Sequence, residues 1–148
     1  MADANLLHFG ILTSTIHNAW IRAVCGRLKS DFRYSVSIVY NTFLWPGPTG
    51  KRAAIETAAQ GVLDARAAHQ APSLADLYDP LTMPANLLKA HQALDAAVDA
   101  AYGYKGAKTA AARVAFLFER YQQITSLLPA ANLGKTRKPK TKPAQAEG

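Results

Sequence analysis

The sequence predicts a mainly α-helical protein of the α+β class. An N-terminal helix and two short strands come first, a small antiparallel helical bundle follows, and a basic tail ends the chain. In several segments apolar residues recur at three- and four-residue spacing, which is typical of one buried helix face. Between the first two of these segments, the chain is rich in β-branched and aromatic residues, which favour strands. From residue 131 the Lys-, Pro- and Thr-rich composition favours disorder.

The N-terminal helix is predicted from five apolar residues that share one face, namely Phe9, Leu12, Ile16, Trp20 and Val24. Gly26 stands where a left-handed cap would end such a helix. His17 and Asn18 lie on this helix, and we expect both to be surface side chains or locally hydrogen-bonded ones.

The segment from Arg27 to Tyr34 alternates with a period of two, which predicts a half-buried strand. Its apolar side is interrupted only by Ser30, and its other side holds the charged residues Arg27, Lys29, Asp31 and Arg33. Arginine and lysine bind guanine edges and phosphates, and a carboxylate accepts from the cytosine amine. These four residues are therefore the candidate DNA-binding site, and the alternative is a solvated edge strand of mixed charge.

A second strand is predicted from Ile38 to Trp45, because this run is apolar, β-branched and aromatic. Pro46 and Pro48 flank a glycine after it and would end the strand. Ser35 to Ser37 is expected to form the turn between the two strands.

Three longer amphipathic helices make up the predicted bundle: Lys51–Ala68, Pro84–Tyr102 and Ala107–Leu128. A capping box at Ser73 and Asp76 predicts one short helical turn before the second of them. His91 lies on an apolar face and is expected to be a satisfied core histidine. The last helix is expected to bury Val114, Leu117, Phe118, Tyr121, Ile124 and Leu128.

The composition limits the classes of function. The 148-residue chain carries a formal charge of +7, so an anionic partner is plausible. Cys25 is the only cysteine, which excludes an internal disulfide and favours a reducing compartment. The sequence has no run long enough to span a membrane and no signal peptide, so we expect a cytoplasmic protein without a membrane partner.

Catalytic and metal-binding motifs are absent from the sequence. The four histidines are scattered and have no cysteine partners at zinc-binding spacing, and there is no glycine-rich loop or nucleophile motif. We expect no catalytic and no metal-binding residues in this chain.

Several segments together carry a family resemblance: Phe9–Ser14, His17–Trp20, Cys25–Ser35, Val39–Pro46, Val62–Arg66, Ser73–Pro84 and Ala90–Asp95. They resemble the end of the target-recognition domain and the helical C-terminal domain of MmeI-like (type IIL) restriction-modification enzymes and related adenine-specific DNA methyltransferases. One departure is Leu44, where members of that family usually have proline. The resemblance implies three regions: residues 1–47 from the recognition domain, residues 48–130 as the helical domain, and residues 131–148 as the tail.

The resemblance also implies a function, namely recognition of double-stranded DNA in the service of adenine methylation. The positions of Lys29 and Asp31 are similar to those that read one base pair of the target. Alternate residues on a strand lie about 7 Å apart, which suits two halves of a base pair. Arg27 and Arg33 would flank them on phosphates or a second base. The family's S-adenosylmethionine site lies in an upstream methyltransferase domain, so no cofactor is expected here.

Two alternatives remain open from the sequence. The chain could be a helical interaction module that docks on a separate methyltransferase subunit without contacting DNA. It could also be an inert remnant of a split methyltransferase gene.

Overall fold

A computed structural model describes residues 5–28, 31–47, 50–69 and 73–127, and the predicted basic tail lies outside these ranges. The α-helices are α1 (Leu6–Thr13), α2 (Thr15–Val24), α3 (Arg52–Ala67), α4 (Leu74–Leu77), α5 (Ala85–Tyr102) and α6 (Ala110–Leu127). The predicted mainly α-helical class is confirmed. Across the described ranges, no helix has both the length and the apolarity that crossing a membrane would require.

The N-terminal helix is divided at Ser14, so the prediction of one continuous helix is wrong. Asn5 caps α1, because its side-chain oxygen accepts from the backbone N–H groups of Leu7 and His8. The Ser14 hydroxyl donates to the Ile11 carbonyl oxygen at 2.6 Å, and Ser14 itself is extended. The predicted glycine cap is also wrong, since α2 ends at an extended Cys25 and Gly26 begins a strand.

Neither predicted strand forms as expected. The segment predicted as one strand contains two, β1 (Gly26–Leu28) and β2 (Asp31–Arg33), which pair antiparallel as a hairpin. The segment predicted as the second strand is not extended: Val36–Tyr40 is a π-helical turn, with the Asn41 N–H donating to the Val36 carbonyl. Val39 is the buried residue of this turn, and Phe43, in the bend that follows, is buried as well, so the buried side chains do not alternate as they would along a half-buried strand.

The predicted apolar faces of the second and third predicted helices form the core. Helices α3 and α5 pack together, and their fully buried residues are Ile55, Ala59, Val62, Leu87, Leu94 and Val98. Gly103 ends α5 with a φ of 69°, a left-handed conformation that favours glycine. Ser73 caps α4 as predicted, because its hydroxyl oxygen accepts from the Asp76 N–H. Pro84 is the N-cap of α5 rather than its first residue.

Helix α6 buries less of its apolar face than predicted. Leu117 is fully buried, but Phe118, Tyr121 and Ile124 are 44%, 40% and 48% exposed. The Phe118 ring still touches Trp20, with ring centroids 5.2 Å apart. Within the described ranges, an apolar stripe therefore remains exposed on the second half of α6, and Leu128 lies outside those ranges.

The N-terminal helices and the bundle share one hydrophobic core. Helix α1 packs on α3, and α2 packs on α6. The Tyr102 hydroxyl donates to the Leu44 carbonyl oxygen at 2.6 Å, and burial raises the pKa of this tyrosine. The residue-47 and residue-130 boundaries stay predictions, because they rest on the sequence alone.

Candidate nucleic-acid interface

The candidate DNA-binding residues lie in and around the β1–β2 hairpin. In its register Gly26 pairs with Arg33, Arg27 with Phe32, and Leu28 with Asp31. Lys29 lies outside the described residues. Arg27 is paired with Phe32, so on the facing strand the backbones of Asp31 and Arg33 lie on either side of its partner. Asp31 belongs to the second strand, and the spacing argument for Lys29 and Asp31 stays a prediction, because Lys29 lies outside the described residues.

Both ends of the hairpin are attached to helix α2. At the entry, the Cys25 N–H donates to the Ile21 carbonyl oxygen at 2.9 Å, and the Cys25 thiol donates to the Arg33 carbonyl. At the exit, the Tyr34 hydroxyl lies 3.5 Å from His17 Nε2. Helix α2 therefore holds the hairpin in place.

The charge of the N-terminal segment is positive around this hairpin. Between residues 5 and 47 the basic residues are Arg22, Arg27, Lys29 and Arg33, and the acidic residue is Asp31. Arg22 lies in the last turn of α2, and both Arg22 and Arg33 are exposed. Exposed cations at the base of a hairpin suit phosphate contacts.

His17 supports the hairpin from inside the protein, contrary to the expectation of a surface or locally satisfied side chain. It is 1% exposed, and its ring lies edge-on to Phe43 with centroids 4.5 Å apart. Its Nδ1 atom has no hydrogen-bond partner among the described residues. Burial lowers the pKa of His17 to about 4, so the ring is neutral at pH 7 and acts by packing, not as a cation.

His91 has a hydrogen-bond partner, as expected of a satisfied histidine, but it is half-buried rather than part of the core. Its Nε2 atom lies 2.6 Å from the Tyr78 hydroxyl, which accepts from Arg66 Nε at 2.7 Å. The Arg66 guanidinium also lies over the Phe9 ring, 5.4 Å from its centroid. Burial lowers the pKa of His91, and the Arg66 charge lowers it further. This cluster joins α1 to the bundle.

Two carboxylates on α5 escaped the sequence interpretation. Asp95 accepts from the Thr15 backbone N–H at 2.7 Å and from the Thr15 hydroxyl at 2.5 Å. Asp99 forms an ion pair with Arg113 at 2.6 Å, and the pair raises the pKa of that arginine. No local motif marks either contact, because Asp95 and Thr15 are 80 positions apart. In the part of the chain that the structure describes, no group of His, Cys, Asp and Glu could hold a metal ion.

Comparisons with known proteins place both halves of the chain. Residues 1–47 match the model of the MmeI target recognition domain, and residues 47–129 match that of the MmeI C-terminal domain. DNA methyltransferase A of Bacillus subtilis (strain 168) is 43% identical over 124 residues, which are 83% of this chain and 14% of that protein.

A solved structure of the type IIL restriction-modification enzyme MmeI in complex with DNA is also similar. It is 58% identical with a TM-score of 0.80, over 84% of this chain and 17% of the solved chain. The chain thus spans less than a fifth of the length of either relative.

Proposed function

The chain belongs to the MmeI family, with its first part in the target recognition domain and the rest in the C-terminal domain, and from this premise we propose that it recognises DNA sequence for an adenine-specific methyltransferase or restriction-modification system. Methyl transfer and its cofactor, S-adenosylmethionine, are then supplied outside this chain. The observation that carries the proposal is the cation-bearing hairpin on α2, within the segment matched to the recognition domain.

The hairpin suits the major groove of duplex DNA. That groove is about 12 Å wide and admits a two-stranded β-ribbon. The relative of known structure is described in complex with DNA, which supports a DNA partner for this chain. Exposed Arg33 and Arg22 would neutralise phosphates, a contact that fixes register without reading sequence.

Within the hairpin region we assign base reading to Lys29 and Asp31. Lys29 donates to guanine O6 or N7, and Asp31 accepts from the amine of the paired cytosine. Arg27 and Arg33 flank this pair on the backbone or on a second base. Two bonds of opposite polarity then distinguish a guanine–cytosine pair from its reverse.

Salt-dependent binding of the 148-residue chain to duplex DNA tests the DNA partner. Fluorescence anisotropy between about 50 and 200 mM salt should give a linear fall of log affinity with log salt. Arg33→Ala should weaken binding and reduce the steepness of that line by about 0.9, the contribution of one phosphate contact.

Arg52→Ala is the matched control for this experiment. Arg52 is exposed on α3 and pairs with Glu56 one turn away, so its removal costs little stability. Affinity and salt slope should stay at their wild-type values. The DNA proposal fails if the chain shows no salt-dependent binding, or if both alanine variants weaken it equally.

Base reading is tested in the chain joined to a methyltransferase part of the family, with methylated sites mapped. The double variant Lys29→Glu with Asp31→Arg should favour the reversed base pair at one position, with about 1–3 kcal/mol of discrimination per contact. Each single variant should perform worse than the double, because it leaves one polar group facing a mismatched edge. An unchanged methylation motif with intact activity would remove these two residues from base reading.

A second candidate function is docking on a separate methyltransferase subunit, and the open stripe of α6 favours it. Phe118, Tyr121 and Ile124 are exposed at three-residue spacing, and such apolar patches mark protein contacts. If this function holds, Tyr121→Glu should abolish co-purification with the methyltransferase subunit but leave the salt slope for DNA unchanged. Co-purification unaffected by that substitution would count against the stripe.

A further inference from the structure

Helix α2 lacks a cap from its own sequence. The first N–H groups of a helix have no partner inside it and need an acceptor from elsewhere. Ser14 stands at the N-cap but makes no side-chain cap, because its hydroxyl donates backwards to Ile11 at the end of α1. The beginning of α2 therefore depends on a group from another element.

Asp95 of α5 supplies that acceptor. One carboxylate oxygen accepts from the Thr15 N–H at 2.7 Å, and the other accepts from the Thr15 hydroxyl at 2.5 Å. A negative charge at this end of a helix is also favoured by the helix dipole. Both oxygens are directed to the first residue of α2, so the contact fixes the helix end in position and in orientation.

The helix held in this way leads directly into the hairpin. Thr15 to Val24 rises about 15 Å, and β1 begins two residues after Val24. Each end of the hairpin is bonded to α2, through Cys25 and through Tyr34 next to His17. A loosened first turn of α2 thus changes the position of the residues that face DNA.

We propose that Asp95 is a positioning residue for the recognition hairpin, acting through Thr15 and α2 from a helix that the family assigns to the C-terminal domain. This inference rests on the proposed DNA recognition for its functional consequence and on the Asp95–Thr15 contacts for its structural one. The C-terminal helices then help to set DNA recognition without touching the DNA.

Amide hydrogen exchange of the full chain tests the structural part. In Asp95→Ala the amides of α2 should exchange about twofold to thirtyfold faster, the range expected for the loss of an N-cap. Amides of α3 should keep their rates, because the hydrogen bonds of this carboxylate go to Thr15 of α2. In Asp95→Asn the exchange rates of α2 should lie between those of the wild type and of Asp95→Ala, since the asparagine amide oxygen still accepts from the Thr15 N–H.

Two control variants separate positioning from general loss of stability. Gln92→Ala removes an exposed side chain from α5 one turn before Asp95 and should leave α2 exchange unchanged. Asp99→Asn, also on α5, weakens the ion pair with Arg113 of α6, so its effect on exchange should spread over the bundle. The inference is overturned if α2 exchange in Asp95→Ala matches wild type, or rises only in step with α3.

DNA affinity tests the functional part in the same variants. Asp95→Ala should weaken duplex binding severalfold with an unchanged salt slope, because no phosphate contact is lost. Arg33→Ala changes that slope, so the two roles are distinguished by one titration series. Faster α2 exchange with wild-type affinity would overturn the role in recognition. If the wild-type chain binds no duplex, the proposed function and this functional role fail together, and exchange alone decides the structural part.

Discussion

Gly10 offers a direct test of how the N-terminal helices dock on the bundle. This residue lies in α1 where it meets α3 and α5. A Cβ atom at Gly10 would lie 2.9 Å from Ile55 Cγ2 and 3.2 Å from both Ala59 Cβ and Leu94 Cδ1. The first distance is shorter than carbon atoms tolerate, and all three neighbours are buried in the core. Gly10→Ala must therefore push α1 away or distort the core.

The magnitude follows from two opposing effects. Overpacking of a filled core costs typically about 1–3 kcal/mol. Alanine in place of glycine inside a helix recovers about 1 kcal/mol. We expect Gly10→Ala to lower the free energy of unfolding by up to about 2 kcal/mol, measured by urea denaturation of the full chain at constant m-value.

Gly61 provides the matched control for the same substitution. It lies inside α3, and a Cβ atom there would meet no heavy atom within 4 Å beyond its chain neighbours and the adjacent backbone of its own helix. Gly61→Ala should therefore raise the free energy of unfolding by up to about 1 kcal/mol. A Gly10→Ala variant as stable as Gly61→Ala would refute the close approach of α1 to the bundle.

Three further changes have defined outcomes. The pKa of His17 is about 4 in the folded state and about 6.5 in the unfolded state, so the free energy of unfolding should fall by up to about 3 kcal/mol from pH 6.5 to 4. In His17→Leu, urea denaturation over this pH range should show a smaller fall. Parallel pH profiles for the two proteins would contradict this prediction. Asp99→Ala leaves the buried Arg113 without its partner and should cost about 3 kcal/mol in the same assay, so a loss below about 1 kcal/mol would contradict it. Tyr102→Phe removes the donor to the Leu44 carbonyl and should cost about 1 kcal/mol, so an unchanged denaturation midpoint would argue against that bond.

The helices of the bundle were predictable because their signals are local and agree with one another. Leu87, Leu94 and Val98 recur at helical spacing and are fully buried, and Gly103 ends the helix as a left-handed cap. The spacing of the apolar residues and the position of the glycine both indicate the same helix. When several local signals coincide in this way, tertiary packing has little to change.

The hairpin and the π-helical turn were not predictable in the same way. Alternation reports the two faces of an extended chain, and it persists through a reversal that turns one strand into two. Val39 and Phe43 belong to a run with high strand propensity, yet Val39 reaches the core from a π-helical turn and Phe43 from the bend that follows it. Strand propensity mostly reflects packing against neighbours, so a different set of neighbours reverses its prediction.

The open stripe of α6 shows a different limit of sequence patterns. Leu117 and Phe118 are adjacent apolar residues, but only Leu117 is fully buried. A helical pattern indicates which face is apolar and contains nothing about whether a partner covers it. The candidate site is limited likewise: the charged residues were found from local alternation, whereas Asp95 was not, because its partner Thr15 is distant in sequence.

The contacts that hold the hairpin and the residues proposed to read DNA are largely different sets. The contacts that hold the hairpin in place involve buried His17, the Asp95–Thr15 bonds and the packing of α2 on α6. Arg33, by contrast, is exposed, and its bond to Cys25 is made by its backbone carbonyl and not by its side chain. Surface substitutions away from buried contacts usually change stability by less than about 0.5 kcal/mol. Replacing the Arg33 side chain should therefore alter DNA binding at little cost to stability. Changes in the contacts that hold the hairpin should alter both DNA binding and stability.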